Sequence, residues 1–261
     1  MRSAAAAFLA ADHLRPATAA RLWRADQFAG SAGGLDDGGE ADGAQRSTGH
    51  AALDAELPGG GWPAAGLTEL LLPACGSGEL RLLAPALAGQ ASLWVAPPFL
   101  PYAPALAALG LAPGQLTVAQ PDSAADAAWA AEQALRSGAL AAVLWWQTAN
   151  AAAARESALL ATTLRRLHLA ALEGRTPLFA LRPLNVRAHS SPSPLRMSLV
   201  AAGGRQLQVE VFKRRGPPMG APLLLTLPGP MVAARRTRRP SAMEALTSHV
   251  LVRAPSAPVA S

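Results

Sequence analysis

The amino-acid sequence predicts an α/β fold: a mostly parallel central sheet with helices on its faces and antiparallel strands added at its C-terminal side. Two observations carry this expectation. Between residues 67 and 181, short apolar segments of strand length alternate with longer segments of helical periodicity, the pattern of successive βαβ units. From Leu195 onward, three further strand-like segments follow one another with no helical pattern between them, which an antiparallel edge explains.

Residues 1–46 are rich in Ala, Gly and Asp. Thr18 to Phe28 has the pattern of a short helix, and Ala29 to Gly43 holds too few large apolar residues to fold alone, so an N-terminal arm and flexible linker are expected. The character changes at Ser47, where a core spanning residues 47–227 begins. Ala52, Leu53 and Leu57 form an apolar set, the Gly59-Gly60-Gly61 turn follows, and Leu67 to Leu72 reads as a buried strand. Next come helix Glu79 to Leu87, strand Ser92 to Ala96, helix Tyr102 to Leu109 and strand Leu116 to Gln120. Asp122 or Ser123 caps the next helix, with Ser123 and Asp126 at capping-box spacing, and Gly138 stops it. Strand Ala141 to Trp146 precedes an amphipathic helix over Ala151 to Glu173, in which Leu160, Leu164, Leu167 and Ala171 recur at helical spacing before Gly174. Pro177 to Leu181, Leu195 to Val200, Leu207 to Phe212 and Leu223 to Leu227 read as strands. Residues 228–261, rich in Pro, Arg, Ser and Ala, read as a disordered tail.

With 261 residues the chain suffices for one large α/β domain with flexible ends. The longest strongly apolar stretch, Ala139 to Trp146, falls far short of the roughly 20 residues a bilayer span needs. Met1 to Ala11 is a weak likeness of a signal peptide, interrupted by Asp12, His13 and Arg15 without a cleavage boundary, so a cytoplasmic location is expected. Cys75 is the only cysteine and the five histidines are widely scattered. An intrachain disulfide and a cysteine-built metal site are thereby excluded, and no structural metal is expected. Lys plus Arg number 23 against 17 acidic residues, a formal charge of +6, and Lys213 is the only lysine. An arginine-rich surface suits carboxylate or phosphate partners.

A phosphate loop needs a strand, a glycine-rich turn that aims backbone N–H groups inward, a lysine to neutralise charge and a hydroxyl for magnesium. Leu67 to Leu72, Pro73-Ala74-Cys75-Gly76-Ser77-Gly78 and the following helix supply the first two. Laid on G-x-x-x-x-G-K-[ST], Pro73 to Leu80 keeps Gly78 but replaces the lysine by Glu79 and the hydroxyl by Leu80. Glu79 suits a helix N-terminus yet repels a triphosphate, since like charges 4 Å apart cost roughly 1 kcal/mol in bulk water and about 4 at an effective dielectric of 20. The loop, residues Pro73, Gly76, Ser77, Gly78, Glu79 and Leu80, therefore reads as a strand-to-helix turn of vestigial phosphate-loop form, and no cofactor is expected. A hydrolytic site also needs an acidic residue at a buried strand end, where this chain has Trp145 and Trp146. Large aromatics there more often fill a core than bind a ligand. Gly76-Ser77-Gly78 lacks the G-x-S-x-G spacing of a hydrolase nucleophile.

The spacing of several short motifs resembles the RecA ATPase core over roughly residues 47–227. They are Ser47-Thr48-Gly49, Leu53-Asp54, Leu57, Gly60-Gly61-Trp62-Pro63 and Leu67-Thr68-Glu69 before the loop, then Leu109-Gly110, Gln120-Pro121-Asp122, Glu132-Gln133-Ala134-Leu135 and Ser137-Gly138-Ala139. Within that superfamily, Leu22-Trp23-Arg24, the turn Glu56 to Pro63, Trp94-Val95-Ala96-Pro97-Pro98 and Phe212-Lys213-Arg214-Arg215-Gly216 look like the ImuA family. Against the active recombinase, Glu79 replaces the phosphate-loop lysine, Leu80 the magnesium-loop hydroxyl, Trp146 the acidic strand end and Pro98 the water-activating glutamate.

The resemblance implies a RecA-like core with a degenerate phosphate loop and a noncatalytic accessory role in SOS-induced error-prone translesion DNA synthesis. The implied partners are RecA and/or ImuB with a DnaE-type polymerase, and the implied location is cytoplasmic, nucleoid-associated after DNA damage. Two alternatives are a SulA-like cell-division inhibitor acting on FtsZ and an ATP-dependent DNA-binding recombinase. Lys213 and Arg215 match basic positions that reach nucleotide across a recombinase filament interface, and with Arg214 they are candidate partner contacts. Single-stranded DNA contact is expected, if present, at Arg182 and Arg187 around the Pro183 to Pro194 loop, or at Arg235, Arg236, Arg238 and Arg239.

Overall fold

The computed structural model describes residues 22–24, 45–147, 157–217 and 219–229. The chain divides into two units, Met1–Met231 and Val232–Ser261, and every described residue belongs to the first. The expectation of a tail at residues 228–261 lies, beyond Gly229, outside the described residues.

Among the described residues nine strands form one sheet: β1 (Leu22–Arg24), β2 (Gly66–Leu72), β3 (Ser92–Val95), β4 (Leu116–Ala119), β5 (Ala142–Trp146), β6 (Pro177–Pro183), β7 (Leu195–Ala201), β8 (Gln206–Lys213) and β9 (Leu223–Thr226). They lie in the order β1-β4-β3-β5-β6-β2-β7-β8-β9. The six strands from β4 to β7 pair in parallel, while β1 on β4, β8 on β7 and β9 on β8 pair antiparallel. The helices are α1 (Ala51–Glu56), α2 (Glu79–Leu87), α3 (Ala103–Ala108), α4 (Ala124–Arg136) and α5 (Ser157–Glu173). The chain is thus α/β, with a mostly parallel sheet, flanking helices and antiparallel C-terminal strands. The first turns of the helix expected from Ala151 lie outside the described residues.

One expected element is overturned. Within the predicted helix Thr18 to Phe28, Leu22–Arg24 is a strand, with Leu22 opposite Ala119 and Arg24 opposite Thr117. The physical reason is the edge of β4: its unpaired N–H and C=O groups give three residues a ladder, which outweighs a weak local helix preference.

β2 is buried along its whole length, and its side chains alternate between two cores. Leu70 and Leu72 join Leu53 of α1, Trp62, Leu82 and Leu83 of α2, and Met197, Leu207 and Val209 of the antiparallel side. Leu67 joins Leu93, Val143 and Leu178 against Ala131, Ala134 and Leu135 of α4 and Leu164 and Leu167 of α5. Trp145 and Trp146, neighbours on β5, enter opposite cores. Trp146 stacks at a tilt on Trp94, ring centroids 5.4 Å apart.

Local sequence explains the joints. Ser123 is the cap of α4: its Oγ accepts the Asp126 N–H at 3.1 Å, and its hydroxyl donates to Asp126 Oδ2 at 2.8 Å. Within the first turn of α1, Asp54 Oδ2 accepts from Ser47 Oγ at 2.7 Å and Oδ1 from the Thr48 N–H at 2.8 Å, tying the helix to the residues before it. Burial alone would raise the Asp54 carboxyl, but these hydrogen bonds prevail and hold it below the usual carboxylate value. Gly174 does more than end α5. A Cβ there would lie 1.8 Å from the Leu135 carbonyl oxygen, so only glycine lets the chain leave α5 across the end of α4. Among the described residues no helix is long and apolar enough to cross a membrane.

Candidate functional site

β2 delivers the chain to residues 73–78 at the C-terminal edge of the parallel strands, and α2 starts at Glu79. Parallel α/β sheets place ligand sites at this edge. Gly78 caps α2 in the left-handed region, φ 114° and ψ 2°, with no side-chain cap, and Gly76 also has a positive φ of 88°. These conformations turn two amides toward the Glu79 side chain. Oε1 accepts the Gly76 N–H at 2.7 Å and Oε2 accepts the Gly78 N–H at 3.0 Å. The Ser77 hydroxyl closes the turn by donating to the Ala74 carbonyl at 2.6 Å.

Glu79 is only 3% exposed, so its charge is held by backbone dipoles rather than by bulk water. Such charge-assisted bonds contribute about 1.5–3 kcal/mol each. Burial and the nearby Glu79 charge both push the Cys75 thiol up, which disfavours a reactive thiolate. Leu80 is partly buried and packs against the apolar core.

Neither β3 nor β5 ends in a carboxylate. β3 runs into Ala96, at a positive φ of 51°, and then Pro97 and the exposed Pro98. β5 ends in the buried Trp146. Gln147 follows, and its Oε1 accepts from Arg182 Nε at 2.6 Å. Among the described residues no group of three or more His, Cys, Asp or Glu is placed to hold a metal ion.

The candidate basic residues separate. Arg182, expected at a DNA-contacting loop, is 3% exposed and points into the protein, so its guanidinium is not offered to an outside ligand. Burial pulls its pKa down against the opposing pull of Glu69. Arg182 Nη1 lies 3.1 Å from Glu69 Oε1 without the geometry of a directed hydrogen bond, so the pair is best described as an ion contact.

Arg187 is half-exposed and grips Glu210 with both terminal nitrogens, each at 2.5 Å. Its guanidinium also lies 4.6 Å from the centre of the Phe212 ring. Hydrogen bonding from Arg187 is the main reason that Glu210 titrates below its ordinary value. Lys213 Nζ donates to the Ser191 carbonyl at 2.7 Å. Arg214 Nη1 meets the Glu56 carboxylate at 2.8 Å and also its carbonyl oxygen, tying the β8 exit to α1. Arg215 is exposed. Arg235, Arg236, Arg238 and Arg239 lie outside the described residues.

Sequence reading missed the hub of this region. Glu69 on β2 is fully buried and receives Arg196 Nε at 2.8 Å, Arg182 and the Ser191 hydroxyl. Arg196 also donates to the carbonyls of Val186, Arg187 and His189 at 3.0–3.3 Å. The loop between β6 and β7 is therefore strapped to the sheet by polar bonds. A signal was present: Glu69 and Arg196 interrupt apolar strand patterns, and charges in such strands need partners.

The chain matches no protein-family model, and no curated protein matches it.

Proposed function

We propose that the chain is a noncatalytic, RecA-like accessory protein of SOS-induced error-prone translesion DNA synthesis, acting through RecA and/or ImuB with a DnaE-type polymerase. The observation that carries the noncatalytic half is the engagement of the loop amides by Glu79. A triphosphate brought to this loop meets a carboxylate where it needs N–H donors and a cation. Lys213, the only lysine in the sequence, is occupied at the Ser191 carbonyl. The residues at the loop therefore do not fit a nucleotide and its magnesium ion.

The accessory half is supported by the ordered motifs that resemble ImuA, together with a sheet whose parallel strands carry a strand–turn–helix of phosphate-loop form. Direct binding of the purified full-length chain to purified RecA and to ImuB tests it, alongside damage-induced mutation frequency in a strain lacking the chain. Binding to either protein and a several-fold fall in mutation frequency are expected. Inhibition of FtsZ assembly with no effect on mutagenesis would replace this reading by a division inhibitor. Magnesium-dependent ATP turnover would replace it by a recombinase.

A further inference from the structure

We infer that the Glu79 carboxylate is the resident anion of its own loop, an intramolecular ligand that takes the place of a phosphate group and makes external phosphate redundant. The inference rests on reading residues 73–80 as a former phosphate loop, and it holds whether or not the chain acts in DNA repair.

Three features of the geometry support it. First, the two carboxylate oxygens divide the donors between them, one on Gly76 and one on Gly78, as two oxygens of a phosphate group would. Second, both donor residues are glycines at positive φ, a conformation costly for other residues. Backbone N–H groups turned inward in this way form an anion-binding concavity. Third, the carboxylate is buried at the N-terminus of the nine-residue α2, where the first N–H groups lack helical partners and the dipole favours negative charge. The anion in this concavity belongs to the chain itself.

A tethered ligand competes at a high effective concentration, so free phosphate does not displace it. Removing the carboxylate while leaving the glycines untouched exposes a latent site for a tetrahedral oxyanion. The wild type should then be insensitive to phosphate at the loop, and a variant without the carboxylate should bind it.

Thermal unfolding of the full-length wild type, E79A and E79Q in inorganic phosphate, against chloride at matched ionic strength, tests this. Comparison with the wild type removes the general salting effect of phosphate. E79A is expected to gain about 3–6 °C more than the wild type at phosphate tenfold above its dissociation constant. E79Q, which keeps a carbonyl acceptor, should gain less. In the same titration the Gly76 and Gly78 amide resonances should move in E79A and stay fixed in the wild type.

Equal phosphate responses in the wild type and E79A, or unmoved amide resonances in E79A, would overturn the inference. An E79A protein that folds only in phosphate supports it. If E79A folds in neither buffer, E79Q decides, and a phosphate response equal to the wild type's overturns it. Failure to bind RecA or ImuB would sink the repair role and leave these outcomes unchanged.

Discussion

Arg196 and Glu69 are register partners on β7 and β2, and their side chains meet as a buried ion pair with Nε 2.8 Å from Oε2. Arg182 approaches the same carboxylate from β6, on the other side of β2. One acid thus fastens three adjacent parallel strands. Two guanidinium groups share it, and the surplus positive charge is met by Gln147 Oε1 and by loop carbonyls.

Glu69→Ala leaves two arginines in the interior without their counter-charge. A loss of about 3–5 kcal/mol of unfolding free energy is expected, read from the denaturant midpoint. Replacing all three residues by apolar ones of similar volume should recover much of that loss. Equal destabilisation of the single and triple variants would show that packing, not charge, dominates at this point.

Arg187→Ala removes a pair whose side chains are 42% and 33% exposed. Solvent screening limits its worth to about 0.2–1 kcal/mol. The sharper readout is local: limited proteolysis should cut faster between Pro183 and Pro194, with the global midpoint almost unchanged.

Gly174→Ala drives a methyl group onto the Leu135 carbonyl oxygen. Backbone faces backbone there, so the contact has no flexible side chain to yield. Destabilisation of about 1–3 kcal/mol is expected, and Gly89→Ala, where nothing lies within 4 Å, is a useful contrast. Its cost should be the conformational one alone, since Gly89 also has a positive φ of 68°.

Stability should fall on mild acidification. His168 Nδ1 accepts the Leu67 N–H at 3.1 Å, and burial, then the Arg215 charge, lower its pKa. Burial likewise lowers that of His50 despite the partial offset of Asp54. In the window below the ordinary histidine value of about 6.5, the unfolded chain binds more protons than the folded one, so stability rises with pH across it. Urea midpoints between pH 5 and 8 should show this slope, and His168→Gln should flatten it. A second loss is expected below about pH 4.5, where Glu210 and Asp54, both lowered in the fold, take up protons.

Most of the strand and helix sequence could be read directly because alternation of apolar runs and helical periodicity is a local property. Ser123, Gly138 and Gly174 marked boundaries for the same reason. β1 could not be read this way, since its conformation is set by an edge some ninety residues away along the chain. The loop's chemistry was half legible. The charge reversal at Glu79 is written in the sequence, but the folding of its carboxylate onto Gly76 and Gly78 depends on two positive φ angles that composition alone does not specify. Arg182 and Arg187 looked alike as loop arginines. Their fates differ because Glu69 lies inward of one and Glu210 beside the other.

The chain just beyond β9 reaches back to this loop. Leu227 is buried, and its Cδ1 sits 3.0 Å from where a Cβ on Gly78 would be, so the residue that caps α2 is roofed by the chain as it leaves the last strand. Leu227 also bonds through its N–H to the Arg205 carbonyl at 2.9 Å, which anchors that roof to the turn before β8. The loop and the exit of β9 therefore form a mechanical couple. A side chain larger than hydrogen at position 78 would press on Leu227, so the packing of the last strand's exit and the turn that holds Glu79 share one residue.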